Sequence, residues 1–148
     1  MSKKVTQKSI VLYADDDRDD IELLQDSFEQ FSRNVDFHSF ENGVEMISFL
    51  NALAPGDLKP CLIILDINMP LLNGKETLTR IRSMKEMHSV PVILFSTSSL
   101  QADKTFATSL DAGFITKPLD SLQMDSVIKR FIDHCTDEVQ QRISIPAV

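Results

Sequence analysis

Short apolar runs alternate with amphipathic helical segments along the chain, and this alternation constrains the fold more than any other feature of the sequence. Each apolar run has the length of a strand, and apolar residues recur after it at the three- and four-residue spacing of one helix face. The predicted strands are Ile10–Ala14, Val35–Phe40, Cys61–Leu65, Val90–Phe95 and Phe114–Thr116. The predicted helices span, in order, Ile21–Phe31, Val44–Leu53, Leu78–Met84, Gln101–Leu110 and Met124–Cys135.

Five β-α units in succession predict an α/β fold with five helices. Right-handed crossovers of this length produce a mostly parallel sheet that is covered by helices on both faces. We therefore predict a doubly wound, five-stranded parallel sheet. In sheets of this kind the ligand site lies at the carboxyl ends of the strands, so the residues directly after each strand should carry the chemistry.

The length of 148 residues leaves room for one domain with a proper core. We predict an N-terminal extension over residues 1–8, one domain over residues 9–137 and a C-terminal tail over residues 138–148. No apolar run approaches the roughly 20 residues of a membrane span, and the basic start precedes no apolar signal segment. We expect a cytoplasmic protein with no membrane partner.

Composition argues against nucleic-acid binding and against sites built on cysteine. Acidic residues outnumber basic ones, 22 to 15, and the net charge is −7. Proteins that bind nucleic acid need clustered Lys and Arg, whereas the basic residues here are scattered, so we expect no nucleic-acid partner.

Cys61 lies in a predicted strand and Cys135 on a helical stripe. Both are interpreted as small buried apolar residues, and we predict neither a disulfide nor a zinc site.

Polar residues that can carry chemistry follow four of the five predicted strands. They are Asp15-Asp16-Asp17 after the first strand, Asp66 after the third, Ser96-Thr97 after the fourth and Lys117-Pro118 after the fifth. Carboxylates that converge at one edge cannot all stay ionised without a counter-charge. Mg²⁺ supplies one through oxygen ligands, and Lys117 supplies another. A metal, a lysine and a hydroxyl form a pocket for a dianionic phosphoryl group. Asp19 and Asp20 are interpreted as solvated residues of a first helical turn.

Four motifs in register resemble the receiver (CheY-like) domains of bacterial two-component response regulators. The motifs are Ala14-Asp15-Asp16-Asp17, Asp66-Ile-Asn-Met-Pro70, Ser96-Thr97 and Phe114-Ile-Thr-Lys117-Pro118. The resemblance extends from about Ile10 to Cys135 and implies the flavodoxin-like strand order 2-1-3-4-5. It also implies a stand-alone regulator, because only thirty residues follow Pro118 and no DNA-binding output domain fits there.

The resemblance implies a role for each residue of the predicted pocket. Asp66 is expected to accept the phosphoryl group and become an aspartyl phosphate. Asp15, Asp16, Asp66 and the backbone carbonyl of Asn68 are expected to hold Mg²⁺. Lys117 is expected to pair with the phosphoryl oxygens, aimed by a cis Lys117–Pro118 bond. The domain is thus expected to be a phosphoacceptor that promotes its own phosphorylation and dephosphorylation, and not a conventional turnover enzyme.

The resemblance also implies how the signal enters and leaves the domain. A sensor histidine kinase or phosphotransfer protein is the expected phosphoryl donor. Ser96 is expected to move to hydrogen-bond the phosphoryl group, and Phe114 to turn inward with it. The face formed by helix 4, strand 5 and helix 5 is then expected to contact a downstream protein or a second copy of the chain. Two segments, Asn51–Pro60 and Phe95–Ser99, look similar to small regulators that serve bacteriophytochrome-type kinases.

Three other classes share part of the acidic motif. A haloacid-dehalogenase-like phosphatase would use Asp15 and Asp17, but Asp19 stands where that family has Thr or Val. A calcium-binding helix-loop-helix would use the same three residues, but Asp20 replaces its glycine and Asp26 its terminal glutamate. A flavodoxin-like flavin carrier needs a phosphate-binding loop after the first strand, where this chain has acids.

Overall fold

Strands and helices alternate along the chain in the predicted order. The computed structural model describes residues 8–118 and 123–144. The strands are β1 (Ser9–Ala14), β2 (Val35–Phe40), β3 (Leu62–Leu65), β4 (Val92–Ser96) and β5 (Gly113–Thr116). The helices are α1 (Arg18–Phe31), α2 (Gly43–Asn51), α3 (Gly74–Ser83), α4 (Gln101–Ser109), α5 (Met124–Asp133) and α6 (Asp137–Ile143). Among the helices that the structure describes, none has the length and apolar character needed to cross a membrane.

The five strands form one parallel sheet in the order β2-β1-β3-β4-β5. This confirms the predicted doubly wound fold and its strand order. The direction of winding reverses between β1 and β3, and this switch point is where sheets of this type bind ligands. In the β1–β3 register Ala14 pairs with Leu65. The residues that follow them, Asp15 and Asp66, therefore leave the sheet side by side.

The sheet separates two apolar cores. Residues of β1 alternate between them, so that Val11 and Tyr13 lie in one core and Leu12 and Ala14 in the other. The first core contains apolar residues of α1, α5 and α6, and the second contains residues of α2, α3 and α4. Because the central strands are covered on both faces, they have continuous apolar sequences.

Within the residues that the structure describes, there is one α-helix more than predicted. Helix α6 packs on α5 and β1, and its residue Ile143 is completely buried. The Asn34 side chain donates a 2.8 Å hydrogen bond to the Arg142 carbonyl oxygen, and Thr136 caps the first turn. The prediction of five helices was wrong because seven residues carry too short an apolar stripe, Val139 and Ile143, to indicate a helix. Such a short helix depends on tertiary packing for its stability.

Helix α6 lies within the stretch predicted as the end of the domain and the start of a tail. Residues 145–148 of that tail lie outside the described residues, as do residues 1–7 of the predicted N-terminal extension and residues 119–122 before α5. The domain boundaries therefore remain predictions.

The start of α3 packs directly against the backbone of Asp66. A reciprocal pair of hydrogen bonds between Asn73 and Glu76 caps the helix, and the Gly74 N–H donates to the Ile67 carbonyl oxygen at 2.9 Å. A Cβ atom at Gly74 would lie 2.1 Å from the Asp66 carbonyl oxygen. Glycine is therefore required here because no side chain fits between α3 and the end of β3.

We expect Gly74→Ala to lower the free energy of unfolding by about 3 kcal/mol, since the clash is with backbone that cannot rotate away. The measurement is chemical denaturation of the purified protein. Gly56→Ala is the matched control, because a Cβ at Gly56 meets nothing within 4 Å, and it should change stability by less than about 0.5 kcal/mol. Equal stabilities of the two variants would contradict the close approach.

Candidate functional site

Three side chains that the sequence analysis selected emerge together at the carboxyl edge of the sheet. Backbone hydrogen bonds continue the ladders past the strand ends and fix their positions. The Asp15 N–H donates to the Phe40 carbonyl oxygen at 3.0 Å, and the Asp66 N–H donates to that of Ala14 at 2.9 Å. The Lys117 N–H donates to the Ser96 carbonyl oxygen at 2.8 Å. The order of the sheet thus brings Asp15, Asp66 and Lys117 to one rim.

Asp15, Asp16 and Asp66 form a compact acidic cluster. One carboxylate oxygen from each lies within 4.8 Å of the others. Asp15 is completely buried, Asp66 is 7% exposed, and Asp16 is open to solvent. Oxygen ligands at this spacing, with one exposed member that leaves room for waters, fit a hard divalent cation such as Mg²⁺. Asn68 is exposed two residues beyond Asp66 and lines an adjoining open groove with Thr97.

The ammonium group of Lys117 joins three carboxylates. Its Nζ lies 2.6 Å from Asp15 Oδ2, 2.8 Å from Asp20 Oδ2 and 3.4 Å from Asp66 Oδ1. Burial alone would lower the pKa of Lys117, but its hydrogen bonds to Asp15 and Asp20 and the nearby negative charges raise the pKa instead. Lys117 is therefore a fixed positive charge that balances part of the cluster.

Two expectations about this region were wrong. Asp20 is not merely solvated, because its carboxylate pairs with Lys117 across the rim. Asp20 lies in the first turn of α1, from which its side chain reaches Lys117 after β5, and the sequence spacing alone did not indicate this contact. The expected cis Lys117–Pro118 bond is also absent, since no peptide bond is cis within residues 8–118 and 123–144. Lys117 reaches the carboxylates with a trans bond.

Asp15 has a hydrogen-bond partner that the sequence analysis missed. The buried Tyr13 hydroxyl donates to Asp15 Oδ2, and the Asp17 N–H donates to Oδ1 at 2.9 Å. Burial, followed by the negative charge of Asp15, raises the pKa of Tyr13 far above its ordinary value. The signal was present in the sequence, because residues two apart on a strand point to the same side. With Lys117, three donors hold the Asp15 carboxylate in place.

Among the carboxyl groups of the described residues, Asp66 has the pKa that is shifted furthest towards neutral pH. Burial, reinforced by the negative charge of Asp15, raises the pKa of Asp66 from 3.8 to about 6, although Lys117 opposes the shift. A carboxylate with this pKa is ionised at neutral pH and is more basic than an ordinary aspartate. Perturbed groups of this kind are typical of reactive sites.

Polar contacts continue from the site towards α4. Ser96 is 1% exposed, and its Oγ accepts a 3.2 Å hydrogen bond from the Ser98 N–H. The Ser98 hydroxyl donates to Asp103 Oδ2 at 2.6 Å, and Lys75 Nζ lies 2.5 Å from Asp103 Oδ1. These contacts hold the pKa of Asp103 below its usual range, chiefly through Lys75 and then Ser98. Four residues on three elements are thereby connected.

Asp103 and Lys75 were missed by the sequence analysis, although an acid in the first turn of a helix is a recognisable N-terminal feature. The hydroxyl-rich loop before α4 does not cap the helix. Leu100 occupies the position before its first turn and makes no side-chain capping bond, and the Ser98 hydroxyl accepts a hydrogen bond from the Leu100 N–H at 3.2 Å. Phe114 lies half-buried on β5 and packs against the second core.

The family model described as response regulator receiver domain matches residues 11–129. The chain belongs to this family. The match covers β1 to the middle of α5 and so includes every site residue described above. It confirms the family that the four sequence motifs indicated.

Individual relatives show the same resemblance over different lengths. A Bacillus subtilis protein-glutamate methylesterase/protein-glutamine glutaminase is 38% identical over 71 residues, which are 46% of this chain and 19% of that protein. This receiver domain thus spans about a fifth of that relative's length. Response regulator Rcp1 from Synechocystis is 25% identical over 105 residues, which are 70% of this chain and 71% of Rcp1.

Solved structures share the fold. The phosphorylated cyanobacterial phytochrome response regulator RcpA superposes with a TM-score of 0.78 at 24% identity, covering 88% of this chain and 96% of RcpA. The Mn²⁺-bound form of response regulator Rcp1 superposes with a TM-score of 0.73 at 22% identity, covering 82% of this chain and 90% of Rcp1. Both are similar to this receiver domain in architecture.

We expect the raised pKa of Asp66 to make stability depend on pH in Mg²⁺-free solution. The folded-state pKa of about 6 exceeds the ordinary 3.8, so the stability linked to protonated Asp66 is present at low pH and is lost as pH rises through 6. The Asp66→Asn variant has no carboxyl group to ionise at this position and so avoids the loss of stability. Its free energy of unfolding should exceed that of wild type by about 1–3 kcal/mol at about pH 7.5, and by little at about pH 4.

The measurement is denaturant unfolding with a metal chelator at several pH values. Asp26→Asn is the matched control, because Asp26 is exposed on α1 and away from the cluster, and its stability should follow that of wild type. If the difference in free energy of unfolding between Asp66→Asn and wild type is independent of pH, ionisation of Asp66 does not destabilise the folded protein.

Proposed function

We propose that this receiver domain accepts a phosphoryl group on the Asp66 carboxylate, with a sensor histidine kinase or phosphotransfer protein as donor. The observation that carries the proposal is the position of Asp66. It ends the central strand, it belongs to the acidic cluster, and its Oδ1 lies 3.4 Å from the Lys117 ammonium group. Nucleophile, cation-binding carboxylates and fixed positive charge therefore meet at one point.

The chain's own groups account for the transfer step. An oxygen of ionised Asp66 attacks phosphorus and forms an acyl phosphate bond, while the bond from phosphorus to the donor nitrogen breaks and its electron pair stays on the donor. Lys117 is placed to follow the charge from the carboxylates to the transferred phosphoryl oxygens. Ser96, buried beside this rim, supplies a hydroxyl donor for the same oxygens. Asp66, Lys117 and Ser96 are thus the proposed catalytic residues.

The acidic cluster fits Mg²⁺ because its oxygens already converge. We assign Asp15, Asp16, Asp66 and the Asn68 carbonyl as its protein ligands. When bound, Mg²⁺ supplies positive charge that offsets the carboxylates and stabilises the transferring phosphoryl group. Support for a divalent ion also comes from the Mn²⁺-bound form of Rcp1, a protein of the same fold.

The proposed role is that of a signalling phosphoacceptor and not of a turnover enzyme. The nucleophile is consumed when it is phosphorylated, and the domain is restored by hydrolysis that its own residues promote. The methylesterase activity named for the Bacillus relative is not carried over, because this chain matches only 19% of that protein. The net charge of −7 supports protein partners over nucleic acid or membrane surfaces.

The signal leaves the site through its contacts with α4. Ser96 is connected through Ser98 to Asp103 by hydrogen bonds. A displacement of Ser96 towards a phosphoryl group would therefore disturb the contacts that hold the first turn of α4. Phe114, half-buried on β5 beside α4, is the proposed second switch residue. The face formed by α4, β5 and α5 is the proposed contact for a downstream protein or a second copy. The match to RcpA supports a phytochrome-type kinase as the input, because RcpA is a phytochrome response regulator.

We expect acetyl phosphate with Mg²⁺ to label wild type at one site with an acid-stable, hydroxylamine-labile group, and Asp66→Asn to remain unlabelled because it lacks the nucleophile. Asp26→Asn should be labelled like wild type. Mass spectrometry of the intact protein gives the readout. Labelling of Asp66→Asn at the wild-type level would overturn the assignment of the phosphoacceptor.

A metal titration separates the binding site from the reaction. Mg²⁺ should raise the thermal stability of wild type, because it binds the folded protein selectively. The rise should be small or absent in Asp16→Ala, which removes the exposed ligand but leaves the buried Asp15 contacts in place. A wild-type response of Asp16→Ala would show that Asp16 does not hold the ion.

We expect Asp103→Asn to loosen the start of α4, because it removes the ion pair with Lys75 and weakens the anchor of Ser98. Backbone amide exchange over residues 97–103 should be faster by about fivefold, the effect of roughly 1 kcal/mol. Asp26→Asn should leave this segment unchanged. Unchanged exchange in Asp103→Asn would mean that the contacts seen here do not restrain α4.

A further inference from the structure

Asp20 contributes a carboxylate to this rim that the proposed phosphotransfer does not use. It lies in the first turn of α1, and its side chain is 36% exposed. Its Oδ2 lies 2.8 Å from the Lys117 ammonium nitrogen. The carboxylates that converge as a cation site are those of Asp15, Asp16 and Asp66. Asp20 is thus a negative charge next to the cation site that supplies no ligand to it.

Lys117 divides its hydrogen bonds unequally among the carboxylates. An ammonium group has three N–H donors. Two of them bond to Asp15 at 2.6 Å and to Asp20 at 2.8 Å, whereas Asp66 Oδ1 lies 3.4 Å from the nitrogen. The positive charge is therefore directed towards Asp15 and Asp20 more than towards the proposed phosphoacceptor.

The two hydrogen-bond partners of Lys117 differ in how readily they can release it. Asp15 Oδ2 also accepts from the Tyr13 hydroxyl, and Asp15 Oδ1 accepts from the Asp17 N–H, so Asp15 keeps two donors without Lys117. Asp15 is also a proposed ligand of the cation, whose charge would replace that of the ammonium group. Among the described residues, Lys117 is the sole hydrogen-bond partner of the Asp20 carboxylate. Asp20 would therefore retain Lys117 when Asp15 binds the cation.

A phosphoryl group on Asp66 would compete with Asp20 for the same ammonium group. It brings additional negative charge, and its oxygens need Lys117 as a donor. Asp20 already holds one donor of Lys117, and its own negative charge repels the incoming one. Given the phosphoacceptor role proposed for Asp66, we propose that Asp20 is a positioning residue that restrains Lys117 and thereby weakens the binding of a phosphoryl group at Asp66.

A purely structural role of Asp20 leads to a different expectation. Acidic residues in the first turn of a helix are favoured by the helix dipole, and the exposed Asp19 lies in the same turn with the same charge. If Asp20 only stabilised α1, or only held Lys117 in a productive position, its removal would leave phosphoryl binding unchanged or would weaken it. Competition for Lys117 predicts that its removal strengthens binding. The sign of the effect therefore separates the two roles.

The experiment titrates beryllofluoride, a stable mimic of the phosphoryl group, into the full chain with saturating Mg²⁺. Fluorine NMR measures the bound fraction and requires no turnover. Asp20→Asn keeps the size of the side chain and an acceptor oxygen but removes the charge. It should bind beryllofluoride about threefold to fivefold more tightly than wild type, the effect expected of one partly exposed ion pair. Asp20→Ala should also bind more tightly than wild type.

Asp19→Asn is the matched control, because it removes the same charge from an exposed position in the same turn, and it should bind beryllofluoride like wild type. Equal or weaker binding by folded Asp20→Asn, while wild type binds, would overturn the proposal and leave the phosphoacceptor role of Asp66 intact. A gain in Asp20→Ala without one in Asp20→Asn would assign the effect to side-chain size and would also overturn it. Failure of wild type to bind would overturn the phosphoacceptor role and this proposal together.

Discussion

The buried ammonium group of Lys117 contacts carboxylates from three segments of the chain. This contact holds the site at the carboxyl edge of the sheet together. Lys117 reaches Asp15, Asp20 and Asp66, which follow β1, start α1 and follow β3. Without a cation, carboxylates at this spacing repel one another, and the burial of Asp15 would be costly. The sheet determines where the carboxylates lie, and Lys117 makes their convergence tolerable. Any reaction at Asp66 changes the negative charge that Lys117 compensates.

Helix α5 belongs to the face proposed for output, and it packs against α1 through the stacked rings of Phe28 and Phe131, whose centroids are 6.2 Å apart. Helix α1 begins beside the acidic cluster, with Asp20 in its first turn. The packing of α5 on α1 therefore connects the proposed output face with the carboxyl edge of the sheet.

The local sequence pattern predicted most of the fold, because the spacing of apolar residues along the chain indicates the strands and the longer helices directly. The second strand, Val35–Phe40, was predicted with its observed bounds, and the other strands differ by one or two residues at their ends. Helix α6 escaped prediction because its stripe is only two residues long. Tyr13, Asp20 and Asp103 also escaped, since each owes its role to a neighbour that only packing provides. Two of the three left a signal in the sequence: Tyr13 through its spacing from Asp15, and Asp103 through its place in the first turn of α4.

The sequence by itself determined the alternation of strands and helices and the residue types that end the strands, because both depend on near neighbours in the chain. Only the tertiary structure decided which of those residues touch. Lys117 and Asp15 are 102 residues apart in the sequence, and their side chains bond at 2.6 Å. The physical reason is that such contacts are set by strand order and register. Burial then converts them into shifted pKa values that no local pattern contains.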